Sequence, residues 1–228
     1  MTRVIMTQQM QELLDDVLRL SSMVDKAIAR GLESLTEQNE VLARRVIADD
    51  EQINAARWEI EEKANLFFAT QAPMAGDLRQ IFAIVHISTE LERMADYAKV
   101  IARVALQTLD EPLLKPLVDM PQMAEISREM LAAAMSAFVD RDPERAREIA
   151  ARDLEVDHLY ARIYRELLSF MISDPETVPK ATDLLWAAHN LERIGDRVTN
   201  ICERIIYAAT GQFEENIHNA SDRRGNPE

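Results

Sequence analysis

Apolar side chains recur at intervals of three and four along almost the whole chain, which is the spacing of amphipathic helices rather than strands. Leu13, Leu14, Val17, Leu20, Val24, Ala27, Ile28 and Leu35 form one such stripe and predict a first helix over about residues 7–37. A second is predicted over about residues 40–70, with Asn39 as its N-cap. Gln71-Ala72-Pro73 then breaks the pattern, because proline removes a helix hydrogen bond and clashes with the preceding turn. A third long helix carries Ile81, Ile84, Ser88, Leu91, Ala95, Ala98 and Ile101 on one stripe.

Between about residues 108 and 121 the periodicity fails, and Pro112, Pro116 and Pro121 mark a linker. The scheme then repeats. A fourth helix is predicted over about residues 122–139, and Asp142-Pro143 starts a fifth that runs to about residue 172. Ser173-Asp174-Pro175 and Pro179 make the next break, and a sixth helix spans about residues 180–209, with Gly211 placed to end it. The chain thus divides into a first three-helix repeat (1–112), a linker (113–121), a second repeat (122–211) and a polar tail (212–228) expected to fray. The predicted fold is all-α: six helices in two tandem pseudo-symmetric three-helix bundles, neighbours antiparallel within each.

Composition agrees, with only 5 glycines and few aromatics among 228 residues. Charge adds a constraint. With 40 acidic against 26 basic side chains the net charge is −14, a field that repels nucleic acid and favours cations and basic protein partners. Cys202 is the only cysteine, so no intramolecular disulfide forms. No signal pattern opens the chain, and no uncharged apolar run approaches the roughly 18 residues of a membrane span, which together point to a soluble cytoplasmic protein.

The candidate chemistry lies in a repeated phrase. Leu91-Glu92-Arg93-Met94-Ala95-Asp96 returns as Leu191-Glu192-Arg193-Ile194-Gly195-Asp196. Residues four apart on a helix stack with Cβ atoms roughly 5–6 Å apart, so each Glu/Asp pair repels itself and calls for a cation. Both pairs flank the core stripe of their helix. Asp50 in the second helix and Asp153 in the fifth fall on otherwise apolar stripes, where an ionised carboxylate is costly unless paired or bound to metal. Asp157 follows Asp153 by four, and Asn54 follows Asp50 by four.

Two candidate sets result: Asp153, Asp157, Glu192 and Asp196 in one unit, and Asp50, Asn54, Glu92 and Asp96 in the other. Oxygen-only ligands suit Mg²⁺, Mn²⁺ or Fe, and several carboxylates between helices could bridge more than one ion. The competing reading pairs the acids with Arg93, Arg193 or neighbouring arginines as interhelical salt bridges.

Other constellations are weaker. Glu155 and His158 form the Glu-x-x-His of di-iron bundles, but the second instance, Glu215 to His218, lies in the tail, and His86 and His189 lack a Glu three residues earlier. There is no Gly-rich phosphate loop and no Ser-His-Asp arrangement. Cys202 reads as packing, and Met120, Met123, Met130 and Met135 as filling for a core or a partner groove.

At these residues the chain resembles the PhoU family of bacterial phosphate-signalling proteins. The resemblance rests on the duplicated phrase, on the segment from Gln71 to Arg79, and on Asp153-x-x-Val156-Asp157. It implies multinuclear iron or zinc clusters, with Glu92, Asp96, Glu192 and Asp196 as ligands by direct correspondence. It also implies a regulator without catalysis, a homodimer linking the ABC-type phosphate transporter to the phosphate-sensing histidine kinase and restraining both when phosphate is plentiful. Two departures stand out. Asn54 replaces an expected Asp, predicting a weaker first site, and Met94-Ala95 replaces the Ile-Gly of the second copy. A carboxylate-bridged bundle enzyme and a metal-free oligomerisation bundle are the alternative classes.

Overall fold

The computed structural model describes residues 2–214. Among these every regular element is a helix: α1 (Thr2–Thr36), α2 (Glu40–Thr70), α3 (Ala75–Gln107), α4 (Asp119–Asp140), α5 (Pro143–Ala151), α6 (Asp153–Ser173), a short 3₁₀ turn (Pro175–Thr177) and α7 (Val178–Thr210). None of these helices is long and apolar enough to cross a membrane.

Local chemistry sets most of the boundaries. The Asn39 side chain accepts from the Leu42 amide at 3.0 Å and caps α2, as the sequence predicts. Asp142 accepts from the Arg145 amide at 3.0 Å, with Pro143 in the first turn behind it. Gly211, at φ 76°, ends α7 by donating its amide to the Tyr207 carbonyl at 2.8 Å.

Three boundaries depart from expectation. Helix α4 begins at Asp119, which puts Pro121 in its first turn, and α7 takes in Pro179 likewise. A first-turn proline costs no helix bond, because those amides have no partner within the helix. The fifth predicted helix is interrupted at Arg152, dividing α5 from α6; there the bonds Arg152 N–H to Ile149 and Glu155 N–H to Arg152 tighten to three-residue steps. The start of the tail is also not frayed. Phe213 packs on Tyr207 and under the Arg204 guanidinium, and Arg147 donates to both carboxylate oxygens of Glu214 at 3.0 and 2.6 Å. The predicted Glu215–His218 pair and the rest of the tail lie outside the described residues.

Helices α1, α2 and α3 pack on one another as the first bundle, and α4 to α7 as the second. The bundles join through α3 against α7 and α1 against α4. Each of these helices thus meets its own counterpart, as in an isologous interface, here within one chain. The predicted stripes are the core: Leu13, Val17, Leu20, Ile84, Leu91, Leu184, Leu191 and Val198 are all buried. The four methionines of α4 are buried there too, as is Cys202, whose thiol burial holds well above its ordinary pKa.

Candidate metal centre

The two carboxylate sets occupy corresponding places, one between α2 and α3 and one between α6 and α7, but their surroundings differ. In the second set Asp153 opens α6 and is only 2% exposed. Its carboxylate lies against α7 where Gly195 lacks a side chain; a Cβ there would stand 2.5 Å from Asp153 Oδ1 and 3.5 Å from Val156 Cγ1. Burial first, then the charges of Asp157, Asp196 and Glu192, push the Asp153 carboxyl up to about 7. Glu192 is also pushed up to about 7, by burial and by Asp196, against the opposing pull of Arg193 and Arg197. Its Oε2 is buried without a hydrogen-bond partner, with His189 Nδ1 3.5 Å away.

Arg193 does pair with an acid of the set, but within α7, three residues along, rather than between helices as the competing reading had it. Arg193 Nη1 lies 2.6 Å from Asp196 Oδ2, and the same guanidinium donates to Tyr97 of α3. Arg93, its counterpart, is exposed.

In the first set Asp50 is 7% exposed within an unbroken α2. Lys99 of α3 donates to Asp50 Oδ2 and to Asp96 Oδ1, each at 2.6 Å. Burial lowers the ammonium's pKa, but the two hydrogen bonds outweigh it and the net shift is upward. Asn54 Nδ2 donates to Asp50 Oδ2 at 3.2 Å, while Asp50 Oδ1 and Asn54 Oδ1 are buried without hydrogen-bond partners. Burial, Asp96 and Asp50 raise the Glu92 carboxyl, opposed by Arg57 and Arg93. Lys99 is a charged partner of the first set that the sequence reading missed. Its signal was available: a lysine three residues after Asp96, where the other copy has Thr199.

As the side chains stand, no three His, Cys, Asp or Glu groups among the described residues are gathered as a ready ligand cage. The chemistry of the second set nevertheless suits a hard or borderline cation. Four carboxyl groups stand near one another, two of them held near neutral pKa by burial and mutual repulsion, and a glycine admits one of them to the α7 backbone. His158 is exposed and takes no part, so the Glu155–His158 pair does not build a di-iron site.

The family model for the PhoU domain matches residues 17–105 and 120–205, one match on each bundle. The phosphate-specific transport system accessory protein PhoU homolog of Clostridium acetobutylicum is 38% identical over 213 residues, covering 93% of this chain and 97% of the relative. Homolog 2 from Thermotoga maritima is 35% identical over 94% of this chain and 91% of the relative. Among solved structures, PhoU from Pseudomonas aeruginosa superposes with a TM-score of 0.86 at 30% identity, covering 90% of this chain and 99% of that one. The phosphate transport system regulatory protein PhoU from Streptococcus pneumoniae gives the same score at 30% identity, covering 92% and 99%. The chain belongs to the PhoU domain family.

Proposed function

We propose that this protein is a cytoplasmic regulatory accessory protein of a phosphate-specific transport system, acting through protein contacts and without catalysis. The observation that carries this reading is similarity over nearly the full length of chains named as such accessory proteins, both repeats included. In this reading its partners are the transporter's ATPase subunit and the phosphate-sensing histidine kinase, it works as a homodimer, and it restrains uptake and signalling when phosphate is plentiful.

The second carboxylate set is the metal centre of the proposal. Asp153, Asp157, Glu192 and Asp196 would hold iron or zinc, with manganese or magnesium as weaker competitors. The ion would neutralise the mutual repulsion of these acids. Asp153 and Asp157 belong to α6 and Glu192 and Asp196 to α7, so neutralising them fixes the spacing of those helices and with it the surface offered to partners.

The test is metal content by plasma mass spectrometry on tag-free protein loaded with iron, zinc or manganese, beside a Glu192→Gln/Asp196→Asn variant. Stoichiometric metal lost in the variant supports the site; equal content in both refutes it. Binding of metal-loaded and metal-stripped protein to the purified ATPase subunit and to the kinase's cytoplasmic portion tests the rest. Failure to bind either partner in both forms would overturn the adaptor role.

A further inference from the structure

We propose that Lys99 takes the place of a metal ion in the first carboxylate set, so that this chain holds metal at its second set alone. The inference rests on the reading of the second set as a metal site, but its own evidence is geometric. Lys99 Nζ bridges Asp50 Oδ2 and Asp96 Oδ1 at 2.6 Å each, joining α2 to α3 across the position where the second unit faces Asp153 toward α7. The lysine side chain is 16% exposed and that of Asp50 is 10%, so the Lys99–Asp50 contact is largely shielded from water, while Asp96, at 46%, meets solvent. Charge-assisted bonds of this length between shielded groups are the strong kind.

In the second unit the nearby cation, Arg193, pairs with Asp196 along α7 and does not bridge to Asp153 of the facing helix. The residue three positions after Asp196 is Thr199, whose hydroxyl donates to the Asp196 backbone carbonyl at 2.7 Å and brings no charge to the acids. The difference extends to the helix opposite. Where the second set has Asp157, the first has Asn54, which spends its amide on Asp50. Two changes thus act together, one removing a negative ligand and the other supplying a fixed positive charge. A metal ion entering the first set would have to expel the ammonium and leave it in a shielded site without its two partners, which opposes binding.

The site is blocked rather than dismantled. Asp50 Oδ1 and Asn54 Oδ1 are buried without hydrogen-bond partners, and Glu92 and Asp96 keep their helical spacing. Copying the second set into the first should therefore open it. The Lys99→Thr/Asn54→Asp variant of the full chain is expected to bind a further equivalent of manganese(II) or zinc(II), and Asp50→Asn added to that variant should abolish the gain. In the otherwise unaltered chain, Glu192→Gln/Asp196→Asn should remove all bound metal, since Lys99 keeps the first set shut.

Metal retained in that last variant and lost on adding Asp50→Asn overturns the proposal. So does a folded Lys99→Thr/Asn54→Asp variant, with the parent's circular dichroism and cooperative melt, that gains none. If the latter variant does not fold, retention or loss of metal in the second-set variant decides the matter. If the parent itself binds no metal, the reading of the second set fails, while a gain in the Lys99→Thr/Asn54→Asp variant still establishes Lys99 as the block.

Discussion

Asp153 Oδ1 lies 2.5 Å from where the Cβ of any other residue at position 195 would stand, too close for both, so the carboxylate and the glycine are fitted to each other. The first unit has Ala95 at the corresponding place, and there the core carboxylate, Asp50, is engaged by Lys99. Gly195→Ala sets two effects against each other. Alanine in a helix interior is favoured over glycine by about 0.8–1 kcal/mol. Displacing a buried carboxylate costs about 1–3 kcal/mol. The net destabilisation is then about 0–2 kcal/mol, or a fall in Tm of about 0–8 °C. Metal affinity should suffer more clearly, by at least about tenfold, equivalent to about 1.4 kcal/mol. Calorimetric titration of parent and variant checks this, and unchanged affinity would separate the glycine from the site.

Two other glycines should respond to alanine in opposite directions. A Cβ on Gly31 of α1 would lie 2.8 Å from the backbone carbonyl oxygen of Ala98 on α3, and backbone cannot swing aside as a side chain can. Gly31→Ala must push the two helices apart, at a cost of about 1–3 kcal/mol partly offset by helix propensity. Gly76, in the first turn of α3, has nothing within 4 Å of a built Cβ. Gly76→Ala should stabilise by about 0.5–1 kcal/mol, raising Tm by about 1–4 °C. Thermal melts of both variants read the signs directly; a rise in both would disprove the close approach of α1 to α3.

The raised carboxyls of the second set make the stability of the metal-free protein depend on pH in an unusual direction. Asp153 ionises near its ordinary 3.8 in the unfolded chain and at about 7 in the folded one, and Glu192 goes from 4.5 to about 7. Between those values the folded state binds more protons, so stability falls as pH rises. The contribution is fully present below about pH 4 and lost as pH rises through about 7. Metal-stripped parent should therefore lose Tm between about pH 5 and about pH 8 relative to Asp153→Asn, which carries no titrating group at that position. A parent-minus-variant difference that is flat across this range would show that Asp153 is ionised in the fold.

Helix identity was legible in the sequence because both stripes and caps are local: the Asn39 cap, the Asp142-Pro143 start and the Gly211 stop all appear where expected. The interruption at Arg152 was not legible, since Ala151-Arg152-Asp153 contains neither proline nor glycine and the stripe resumes in the same helical phase at Val156. Prolines misled in the other direction. Pro121 and Pro179 read as breaks, yet they sit in first turns that tolerate them. For the candidate site, spacing picked out acids that the fold brings to matching helix pairs, but not their counter-charges. Arg93 and Arg193 are identical in the repeated phrase, yet one is exposed and the other pairs with Asp196, while Lys99, outside the phrase, reaches across to Asp50. Which cation meets which acid is set by the packing of neighbouring helices, and a one-dimensional pattern does not hold that information.

The two bundles are also tied by polar contacts between α3 and α7. Glu90 Oε2 accepts from Arg197 Nη1 at 3.2 Å and from Asn200 Nδ2 at 3.2 Å, with the acid side chain 19% exposed and the arginine 16%. Arg197 Nε is already buried without a partner, so Glu90 is the acid that the guanidinium hydrogen-bonds, with Glu192 adding a longer-range attraction. Glu90→Ala removes that acceptor and leaves a mostly buried cation and an amide unpaired. Leaving such groups unsatisfied costs about 1–3 kcal/mol, or about 2–12 °C in Tm. Arg197→Ala should recover part of the loss when combined with Glu90→Ala, because the stranded charge is then gone. A double-mutant cycle on thermal or urea unfolding measures the coupling, expected at about 0.5–3 kcal/mol. Additivity of the two single changes would mean that α3 and α7 are held by their apolar stripes alone.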